Sequence, residues 1–392
     1  MRTQVGIVGA GPAGLLLAHL LRLRGIDSVI VEAQSQTYCE NRIRAGVLEQ
    51  GTVDTLIEAG LGTRLQEQGL VHHGIELLFE RERHRIDLTG LSGGKCVTVY
   101  GQHEVVRDLI AAAVAADQPI MFESKEVSLH GLDSDTPTII FQHEGQQHEL
   151  QCDYIAGCDG FHGVSRASIP EASIRTFERV YPFGWLGILA KAAPSRDELV
   201  YARHDNGFAL FSMRSPDVTR LYLQCAPDED LAKWSDERIW DELETRFESN
   251  DGWQPTRGEI FQRSVAPLRS FVTEPMRYGR MFLTGDAAHI VPPTGAKGMN
   301  LAVADVRVLS KALASFYDGG GEKALDAYSE RCLRRVWRAE HFSYFMTNML
   351  HRSETDTPFM ERLKLSELRY VTSSRAAGQA LAENYVGLPF DD

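Results

Sequence analysis

The sequence lacks the cysteine pairs and the long apolar runs that would mark a secreted or a membrane protein. Its six cysteines form no CxxC pair and no metal-ligand spacing, which favours unpaired thiols in a reducing cytoplasm and predicts no bound metal. No apolar run approaches the roughly 20 residues that a membrane helix needs. The N-terminus has no signal-peptide layout, since its apolar start runs straight into a glycine motif. We therefore expect a cytoplasmic protein that has no contact with a membrane.

Positive charge is also scarce. The 392 residues hold 41 Lys and Arg against 54 Asp and Glu, a formal net charge of −13. A nucleic-acid partner is therefore not expected, and an anionic small molecule would have to be captured by local arginines. The apolar and charged contents, 43% and 24%, are those of an ordinary globular chain, long enough for about two to three domains.

A nucleotide-binding pattern opens the chain. A short apolar strand, 4–8, runs into Gly9-Ala-Gly-Pro-Ala-Gly14, which is followed by a helical stretch, 15–24, and a second strand, 28–31, that ends at Glu32. In this order the glycines let the backbone approach a pyrophosphate, and the acid accepts hydrogen bonds from ribose hydroxyls. The residues predicted to bind a dinucleotide are Gly9, Gly11, Gly14 and Glu32.

A second motif occupies residues 281–300. Met281 to Thr284 predicts a short buried strand, and Asp286 lies at its end, where a carboxylate can accept hydrogen bonds from ligand hydroxyls. The pair Pro292-Pro293 and the glycines after it predict a rigid loop that a ligand can approach closely. A helix over 300–313 would direct its free N–H groups at this loop. The motif predicts a site for a polyhydroxylated ligand, and an ordinary strand–loop–helix connection is the alternative.

Other polar positions are less specific. Arg42 and Arg44 follow the first motif at alternate positions, which favours contact with an anion over plain surface decoration in so acidic a chain. Gln102 falls at the end of a strand-like run, where ligand contacts are expected. His72-His73 lies in a polar loop without other ligand-type residues, so a surface histidine is the simplest interpretation.

The expected class is α/β with α+β character. Residues 1–176 are expected to form the first part of a Rossmann-like domain, 177–269 a β-rich substrate domain, and 270–392 the second motif with a C-terminal helical region. The last part carries bulky apolar side chains that serve either a core or a contact between two copies: Trp337, Phe342, Tyr344 and Phe345.

A hairpin in the β-rich part is the most informative piece of that domain. Two alternating runs flank a polar loop, 215–219, that contains Pro. If Arg214 pairs with Arg220, then Ser212 pairs with Tyr222, and all four side chains lie on one face. Opposed arginines repel, and a negative group near them would relieve the repulsion. Ser212, Arg214 and Tyr222 are therefore predicted to bind one carboxylate, and a solvated charged face is the alternative.

Several of these motifs resemble those of one enzyme family. The sequence Gly285-Asp-Ala-Ala-His followed by Pro-Pro-x-Gly-x-Lys-Gly298 resembles the second flavin-binding motif of the single-component FAD aromatic hydroxylases. The stretch Tyr154-Ile-Ala-Gly-Cys-Asp-Gly160 resembles their Asp-Gly fingerprint. The resemblance runs from Met1 to about Pro389. It implies a homodimeric, FAD-dependent monooxygenase that uses NADPH or NADH and O2 to hydroxylate 4-hydroxybenzoate at the 3-position through a flavin C4a-hydroperoxide. A hydroxylase of another phenolic carboxylate, a flavin reductase or oxidase, and a flavin-bound sensor are the alternatives.

The resemblance also implies residue roles. Contacts with the flavin nucleotide fall on Arg42, Arg44, Gln102, Asp159, Asp286, Lys297, Gly298, Met299 and Asn300, and Arg220 positions the flavin. Contacts with the nicotinamide nucleotide fall on Gln34, Tyr38, His162, Arg166 and Arg269. The carboxylate clamp is again Ser212, Arg214 and Tyr222, and the Pro293 carbonyl faces the substrate hydroxyl. Tyr201 and Tyr385 relay the substrate's proton, with His72 at the solvent end. Ala33 stands where members of the family carry Arg, which leaves the choice between NADPH and NADH open.

Overall fold

Two large sheets and a C-terminal set of helices build the molecule, a computed structural model that describes residues 1–42, 44 and 46–390. The strands are β1 (Arg2–Val8), β2 (Ser28–Val31), β3 (Val47–Glu49), β4 (Leu70–His72), β5 (Gly74–Phe79), β6 (Glu82–Asp87), β7 (Val97–Val99), β8 (Ile120–Met121), β9 (Lys125–His130), β10 (Thr138–His143), β11 (Gln146–Gly157), β12 (Arg175–Lys191), β13 (Val200–His204), β14 (Gly207–Ser215), β15 (Val218–Cys225), β16 (Glu259–Glu274), β17 (Arg277–Tyr278), β18 (Met281–Leu283) and β19 (His289–Ile290). The helices are α1 (Pro12–Arg22), α2 (Gln36–Asn41), α3 (Gln50–Glu58), α4 (Gly62–Gln68), α5 (Leu88–Leu91), α6 (Gln102–Ala115), α7 (Val164–Ala167), α8 (Asp236–Arg246), α9 (Gly298–Ser315), α10 (Lys323–Asp326), α11 (Tyr328–Leu350), α12 (Pro358–Ser373) and α13 (Arg375–Val386).

The first sheet is built around β1. Its order is β17-β18-β11-β1-β2-β8, with β10 and β9 joined beside β11, and β1 runs parallel to both β2 and β11. Helices α1, α6 and α9 contribute to the same core, so the parallel strands are buried on both faces and read as continuous apolar runs. Because β11 also runs parallel to β18, the carboxyl ends of these strands meet at one edge. Both glycine-containing motifs therefore reach the same edge of the sheet.

The second sheet has the order β19-β16-β12-β15-β14-β13-β5-β6 and is antiparallel apart from the β5–β13 pair. Two of its strands, β5 and β6, come from residues 74–87, far before the predicted domain start at 177, which itself falls within β12. Parallel pairing joins strands that are distant in sequence, so the hydrophobic pattern around 177 gave no sign of it. The chain thus enters the second sheet twice.

Helix α11 links the two cores. Its first half contributes Cys332 and Val336 to the core of the first sheet, and its end contributes Met346 and Leu350 to the core of the second. Of the bulky side chains noted in the sequence, Phe342 is core at 4% exposure, whereas Trp337 and Tyr344 are 41% and 39% exposed.

Three sequence-based expectations can be compared directly with this fold. The class, α/β with α+β character, is confirmed by the two sheet types and the C-terminal helices. The six cysteines are all unpaired thiols, as expected. Within residues 1–42, 44 and 46–390, no helix combines the length and the apolarity needed to cross a bilayer.

Candidate functional site

The glycines of the first motif have two different roles: two are required by the packing of the turn, and one leaves space for a ligand. A Cβ on Gly14 would lie 2.0 Å from the Gly9 carbonyl oxygen, and Gly9 itself has a φ of +104°. Both are therefore required by the packing of the turn between β1 and α1. A Cβ on Gly11, the N-cap of α1, would meet nothing within 4 Å. Gly11 thus leaves open space in front of the free N–H groups of a helix start, which is where a phosphate binds.

Glu32 joins the end of β2 to this glycine loop. One carboxylate oxygen accepts from the Ala10 N–H at 2.6 Å, and the other accepts from the Gln34 N–H at 2.7 Å. An ionised carboxylate can accept about four hydrogen bonds, so both oxygens keep capacity for a ligand hydroxyl. The geometry suits the predicted contact with a ribose.

Asp159, at the carboxyl end of β11, has one oxygen occupied and one free. Its Oδ2 accepts from the backbone N–H of Ser165 at 2.8 Å and from the Ser165 hydroxyl at 3.0 Å. Its Oδ1 is buried and accepts no hydrogen bond from the described residues. Burial raises the pKa of this carboxyl, while the Ser165 donors oppose the rise. A buried acceptor without a donor is costly, and a hydroxyl-bearing ligand would satisfy it.

The second motif places Asp286 at the same edge. After β18 the chain makes a short 3₁₀ turn, Gly285–Ala287, in which Asp286 is exposed. Asp305 of α9 fixes this turn from inside, because its Oδ2 accepts from the Gly285 N–H at 2.9 Å and pairs with His289 Nε2 at 2.7 Å. Burial alone would lower the pKa of His289, but the Asp305 carboxylate outweighs it and the pKa is raised.

Two residues of this motif do not offer their side chains to a ligand. The Lys297 ammonium bonds Glu49 Oε1 at 2.6 Å and the backbone carbonyls of Asn384 and Tyr385 at 2.5 and 3.0 Å, which uses its three N–H donors. The side-chain amide of Asn300 likewise bonds only the backbone groups of Glu49, Val47 and Ala296. These two side chains therefore hold the protein together, and the predicted cofactor contacts of Lys297 and Asn300 stay predictions. The free backbone N–H groups at the start of α9, at Gly298 and Met299, remain suited to a ligand.

The structure differs from the sequence in where it places Gln102. This residue begins α6, whereas β7 already ends at Val99, so it lies at a helix start and not at a strand end. Arg42 and Arg44 are exposed, and residues 43 and 45 lie outside the described part of the chain.

The residues predicted to contact the nicotinamide nucleotide differ in their surroundings: three are exposed, and two arginines already contact other protein groups. Gln34, Tyr38 and His162 are exposed. The Arg166 guanidinium donates to the carbonyls of Ala287 and Phe161 at 2.8 and 2.6 Å, so part of its donor capacity holds the protein together. Arg269 lies 4.7 Å from the ring centre of Phe161 and 3.5 Å from the Glu178 carboxylate.

The substrate hairpin has a different register from the one predicted. Ser212 lies opposite Arg220 and Leu210 opposite Tyr222, with an irregularity between Met213 and Ser215. The predicted pairs were therefore wrong by two positions, because β14 extends to Ser215 and leaves a two-residue turn. Side chains alternate with a period of two, so this shift keeps Ser212, Arg220 and Tyr222 on one face.

Two guanidinium groups on this hairpin have no counter-ion in the part of the chain that the structure describes. The Nε of Arg214 and the Nε and one terminal nitrogen of Arg220 are buried without a hydrogen-bond partner, and no carboxylate among the described residues pairs with either group. Burial is the main cause that lowers the pKa of Arg214 to about 10; the charge of Arg220 lowers it further, and Tyr222 opposes. Buried charge without a partner is expensive, and a ligand carboxylate would offset that cost.

A hydrogen-bonded pair of tyrosines joins β13 to α13. The hydroxyls of Tyr201 and Tyr385 are 2.6 Å apart, and both side chains are buried. Burial raises the pKa of both phenols well above the usual value, and the proximity of Tyr385 raises that of Tyr201 further. Tyr201 lies opposite Leu210, which lies opposite Tyr222, so these side chains point to the same side of the sheet.

His72 is not in a polar loop, as the sequence suggested. It is the last residue of β4, and its side chain is buried because β4 pairs with β7. Neither ring nitrogen has a hydrogen-bond partner within the described residues, so the structure shows no direct bond between His72 and the tyrosine pair. Burial lowers the pKa of His72 to about 4, against the opposing charges of Glu198 and Asp197.

Pro293, whose carbonyl is predicted to face the substrate, begins a short turn, Pro293–Gly295, and is exposed. Sequence reasoning missed three residues around this region. Glu49 holds Lys297, and a lone acid in the apolar run 47–49 was an available signal. Trp185 and His351 lie behind Tyr222 and are joined by a hydrogen bond of 2.7 Å. No local pattern singled out His351.

Comparison with known proteins agrees with this geometry. A family model described as "FAD binding domain" matches residues 2–343. The chain is 51% identical, over all of its length and 96% of the relative's, to p-hydroxybenzoate hydroxylase of Acinetobacter baylyi. It is 22% identical, over 96% of its length and 70% of the relative's, to a probable NADH-specific resorcinol 4-hydroxylase of Rhodococcus jostii.

A solved structure supports the fold. The crystal structure of p-nitrophenol 4-monooxygenase from Pseudomonas putida superposes with a TM-score of 0.82, covering 99% of both chains at 18% identity. Full-length identity of one half to a single relative is decisive for family membership. The chain therefore belongs to the family of FAD-binding aromatic hydroxylases that includes p-hydroxybenzoate hydroxylase.

Proposed function

We propose that this protein hydroxylates 4-hydroxybenzoate at the 3-position, giving 3,4-dihydroxybenzoate, with FAD as cofactor and reduced nicotinamide and O2 as co-substrates. The observation that carries the proposal is the pair of half-buried guanidinium groups, Arg214 and Arg220, which have no carboxylate partner among the described residues. The buried, hydrogen-bonded tyrosines lie on the same side of this sheet. A ligand with a carboxylate at one end and a phenol at the other fits both features.

The spacing of the face supports the same ligand. Tyr201 and Tyr222 are each opposite Leu210, on the strands either side of β14. Neighbouring strands lie about 4.8 Å apart, so the two positions are separated by about 10 Å. One aromatic ring fits between them, with its carboxylate at Ser212, Arg214 and Tyr222 and its hydroxyl toward Tyr201.

The edge of the first sheet supports a proposal for where the cofactor binds. Gly11 and the start of α1 would receive the pyrophosphate, Glu32 the adenosine ribose, and Asp159 and Asp286 the remaining hydroxyls. Bound FAD supplies the chemistry that accepts electrons from the nicotinamide and activates O2. The residues of this chain have the separate task of preparing the aromatic ring.

Preparation of the ring is a proton transfer. The ring is a strong nucleophile only as a phenolate, and a phenol near pKa ~10 must be ionised at neutral pH. The substrate O–H donates to Tyr201, whose own proton passes to Tyr385 across the 2.6 Å contact. Both tyrosines hold their protons firmly because burial raises their pKa values, so the pair conducts a proton without storing charge. We place His72 beyond this pair, where its imidazole would pass the proton on to water and not keep it, because burial lowers its pKa to about 4. Before it ionises, the substrate O–H can instead donate a hydrogen bond to the Pro293 carbonyl.

One assay tests the function. The purified protein with bound FAD should oxidise NAD(P)H slowly alone and much faster with 4-hydroxybenzoate, and mass spectrometry should find 3,4-dihydroxybenzoate in amounts close to the NAD(P)H consumed. Oxidation that ignores the aromatic compound would favour a reductase or oxidase. Stimulated oxidation that gives hydrogen peroxide alone would contradict hydroxylation of this substrate, and the same assay with other phenolic carboxylates would then identify the true one.

We also propose that the protein is a cytoplasmic homodimer that contacts its second copy through α12. Phe359, Leu363 and Tyr370 are 70%, 54% and 55% exposed, and their spacing places them near one side of the helix. Sedimentation analysis should give about twice the mass of one chain. A Leu363→Glu variant should be monomeric, and a wild-type protein that sediments as a monomer would refute this part.

A further inference from the structure

A buried histidine lies behind the carboxylate end of the proposed substrate site. His351 follows the last residue of α11 and is 1% exposed. Its ring stacks with that of Phe208 at 4.3 Å and with that of Phe183 at 4.7 Å between centroids. A polar ring in such surroundings needs two hydrogen-bond partners, and it has them.

The partners of His351 determine its tautomer. A carbonyl oxygen can only accept, so the 2.9 Å contact with Thr347 places the imidazole proton on Nδ1. The lone pair on Nε2 then accepts the indole N–H of Trp185 at 2.7 Å. Burial lowers the pKa of His351 to about 3, so the ring remains a neutral acceptor at any working pH.

Trp185 carries this contact to the substrate face. Its ring lies 4.9 Å from that of Tyr222. On β12, the strand that also carries Trp185, the partner of Tyr222 is Gly187, where an added Cβ would lie 3.4 Å from the tyrosine ring. The Arg220 guanidinium lies 5.0 Å from the centre of the same ring. The Tyr222 ring therefore lies over the bare backbone of Gly187 and contacts both the indole and the Arg220 guanidinium. A displaced indole would remove one of these two contacts and change where the phenol points.

Thr347 makes a second link. Its carbonyl fixes His351, and its hydroxyl lies 2.9 Å from the hydroxyl of Thr294. Thr294 is next to Pro293, whose carbonyl is proposed to face the substrate hydroxyl. The end of α11 thus contacts the supports of both ends of the bound ring.

We propose that His351 is a positioning residue for the substrate's carboxylate. By accepting the Trp185 N–H, it holds the indole against Tyr222 and so sets the phenol that bonds the carboxylate. The inference rests on the proposed function for the identity of the ligand. A stabilising core contact with no effect on the site is the competing explanation.

The test compares two replacements of one ring. His351→Phe keeps a ring for stacking and removes the acceptor, whereas His351→Gln keeps an acceptor oxygen. In a flavin-fluorescence titration of the FAD-bound protein, His351→Phe should weaken 4-hydroxybenzoate about fivefold to tenfold, the loss expected for one buried hydrogen bond. His351→Gln should recover most of that loss. The matched control is His148→Phe, since His148 stacks on Phe141 in the first sheet, away from the site.

A ligand without a carboxylate tests whether the weaker binding in His351→Phe arises at the carboxylate end of the site. Binding of 4-hydroxybenzaldehyde, which has the phenol and no carboxylate, should be equal in wild type and His351→Phe. The loss should also disappear when His351→Phe is made in a Trp185→Phe background, because the indole donor is then already absent. Equal weakening of both ligands, or additive effects of the two substitutions, would overturn the proposal.

A ligand-free measurement separates this proposal from the proposed function. In protein labelled with 15N-tryptophan, the indole N–H resonance that is lost in Trp185→Phe identifies Trp185. It should shift in His351→Phe and return toward the wild-type position in His351→Gln. If that holds while the wild type fails to bind 4-hydroxybenzoate, the proposed function is wrong and the contact is structural. An unshifted resonance would refute the role of His351 directly.

Discussion

The nucleotide edge of the first sheet and the substrate face of the second are built in different ways. At the nucleotide edge, most of the groups proposed to face the ligand are backbone groups, from a glycine loop and the starts of α1 and α9, and side-chain carboxylates at strand ends complete the set. At the substrate face, the groups are side chains, Arg214, Arg220, Tyr201 and Tyr222, that come from three strands and rest on α11 and α13.

The difference teaches what each site depends on. A backbone site tolerates few changes, because a single added Cβ closes it. A side-chain site can be altered gradually, and each change removes one hydrogen bond or one charge. The nucleotide edge should therefore respond to substitution in an all-or-none manner, and the substrate face in graded steps.

The largest effect is expected at Gly14. In Gly14→Ala the new Cβ would lie 2.0 Å from the Gly9 carbonyl, so the turn itself must move. We expect the variant to lose FAD on purification. Its apoprotein should unfold at a lower urea concentration than the wild-type apoprotein, because its free energy of unfolding is lower by a few kcal/mol.

Gly11→Ala is the matched control for this expectation. Its Cβ meets no atom of the described residues within 4 Å, so the apoprotein should be as stable as the wild type, while FAD binding is lost because the methyl group occupies ligand space. Tight FAD binding by Gly14→Ala, or an unstable Gly11→Ala apoprotein, would contradict the division between packing and ligand glycines.

Tyr201→Phe should have the next largest effect. The change removes the hydroxyl that takes the substrate's proton and leaves both nucleotide motifs intact. Flavin reduction by NAD(P)H should continue, but most of the reducing equivalents should leave as hydrogen peroxide. Peroxide and 3,4-dihydroxybenzoate are measured in the same reaction, and product yield near that of the wild type would assign Tyr201 another role.

Arg214→Lys tests the graded response. Lysine keeps the positive charge but cannot present a planar fork to a carboxylate. We expect 4-hydroxybenzoate to bind more weakly by at least about 1.5 kcal/mol, the lower range for charge-assisted hydrogen bonds. Arg175→Lys, at an exposed position of β12, is the control and should bind normally. Unchanged affinity in Arg214→Lys would exclude it from the clamp.

The same contrast explains what the sequence could predict. The strand–loop–helix–strand order of the first motif was predicted correctly, because its glycines, its helix and Glu32 are neighbours in the chain. Its contacts with a nucleotide stay a prediction. The hairpin face was predicted but its register was not, since residues 215–219 are compatible with a five-residue loop and with a two-residue turn plus a bulge. Ser212, Arg220 and Tyr222 still share one face because the error was two residues, an even number, whereas Arg214 lies at the irregularity and has no register partner.

Side-chain partners across long sequence separations could not be predicted. The Lys297 ammonium looked like a ligand for the cofactor because it lies among glycines and prolines, yet its partner Glu49 is supplied from β3. His351 lies at the end of a helix and has an indole from β12 as its donor. Nothing in the local composition encodes which distant residue will fill such a position.

A fall in pH should change the stability contributed by one histidine of each region, and the two changes should have opposite signs. His351, in the substrate region, has a lowered pKa of about 3, so the fold keeps it neutral while the unfolded chain takes up a proton below about 6.5. Stability is then lost as the pH falls, by about 1.2 kcal/mol between pH 7 and 5.5. His289, at the nucleotide edge, has a raised pKa, so its contribution is present at low pH and is lost as the pH rises.

Urea unfolding of the apoprotein at pH 7 and 5.5 checks both signs. His351→Phe should lose less stability on acidification than the wild type. His289→Gln should lose more, because the variant lacks the group that gains from protonation in the fold. Identical pH responses of the two variants would show that these histidines do not set the acid behaviour of their regions.

The smallest expected effect concerns coenzyme choice, where the exposed segment after Glu32 offers side chains and not backbone. NADPH carries a 2′-phosphate with close to two negative charges, which normally requires a local arginine. Here the segment is Ala33 to Glu40, without a cation. The Ser35 hydroxyl accepts from the Tyr38 N–H as the cap of α2, so it is partly committed. Neutral donors such as Gln34 are worth about 1 kcal/mol each, against about 1.5–3 for an arginine.

The kcat/KM ratio for NADPH over NADH should therefore lie within roughly tenfold of unity, since tenfold corresponds to about 1.4 kcal/mol. Ala33→Arg should shift the ratio toward NADPH, because the new guanidinium adds a charge-assisted bond beside the nucleotide. Steady-state kinetics with both coenzymes give the ratio for each protein, and Arg175→Lys again serves as a control that should leave it unchanged. A wild type that prefers NADPH by more than a hundredfold would mean that Arg166 or Arg269 reads the phosphate despite its protein contacts. Binding at the nucleotide edge would then also depend on a side chain that is distant in sequence. The two sites would differ less in their use of backbone and side-chain groups than their geometry indicates.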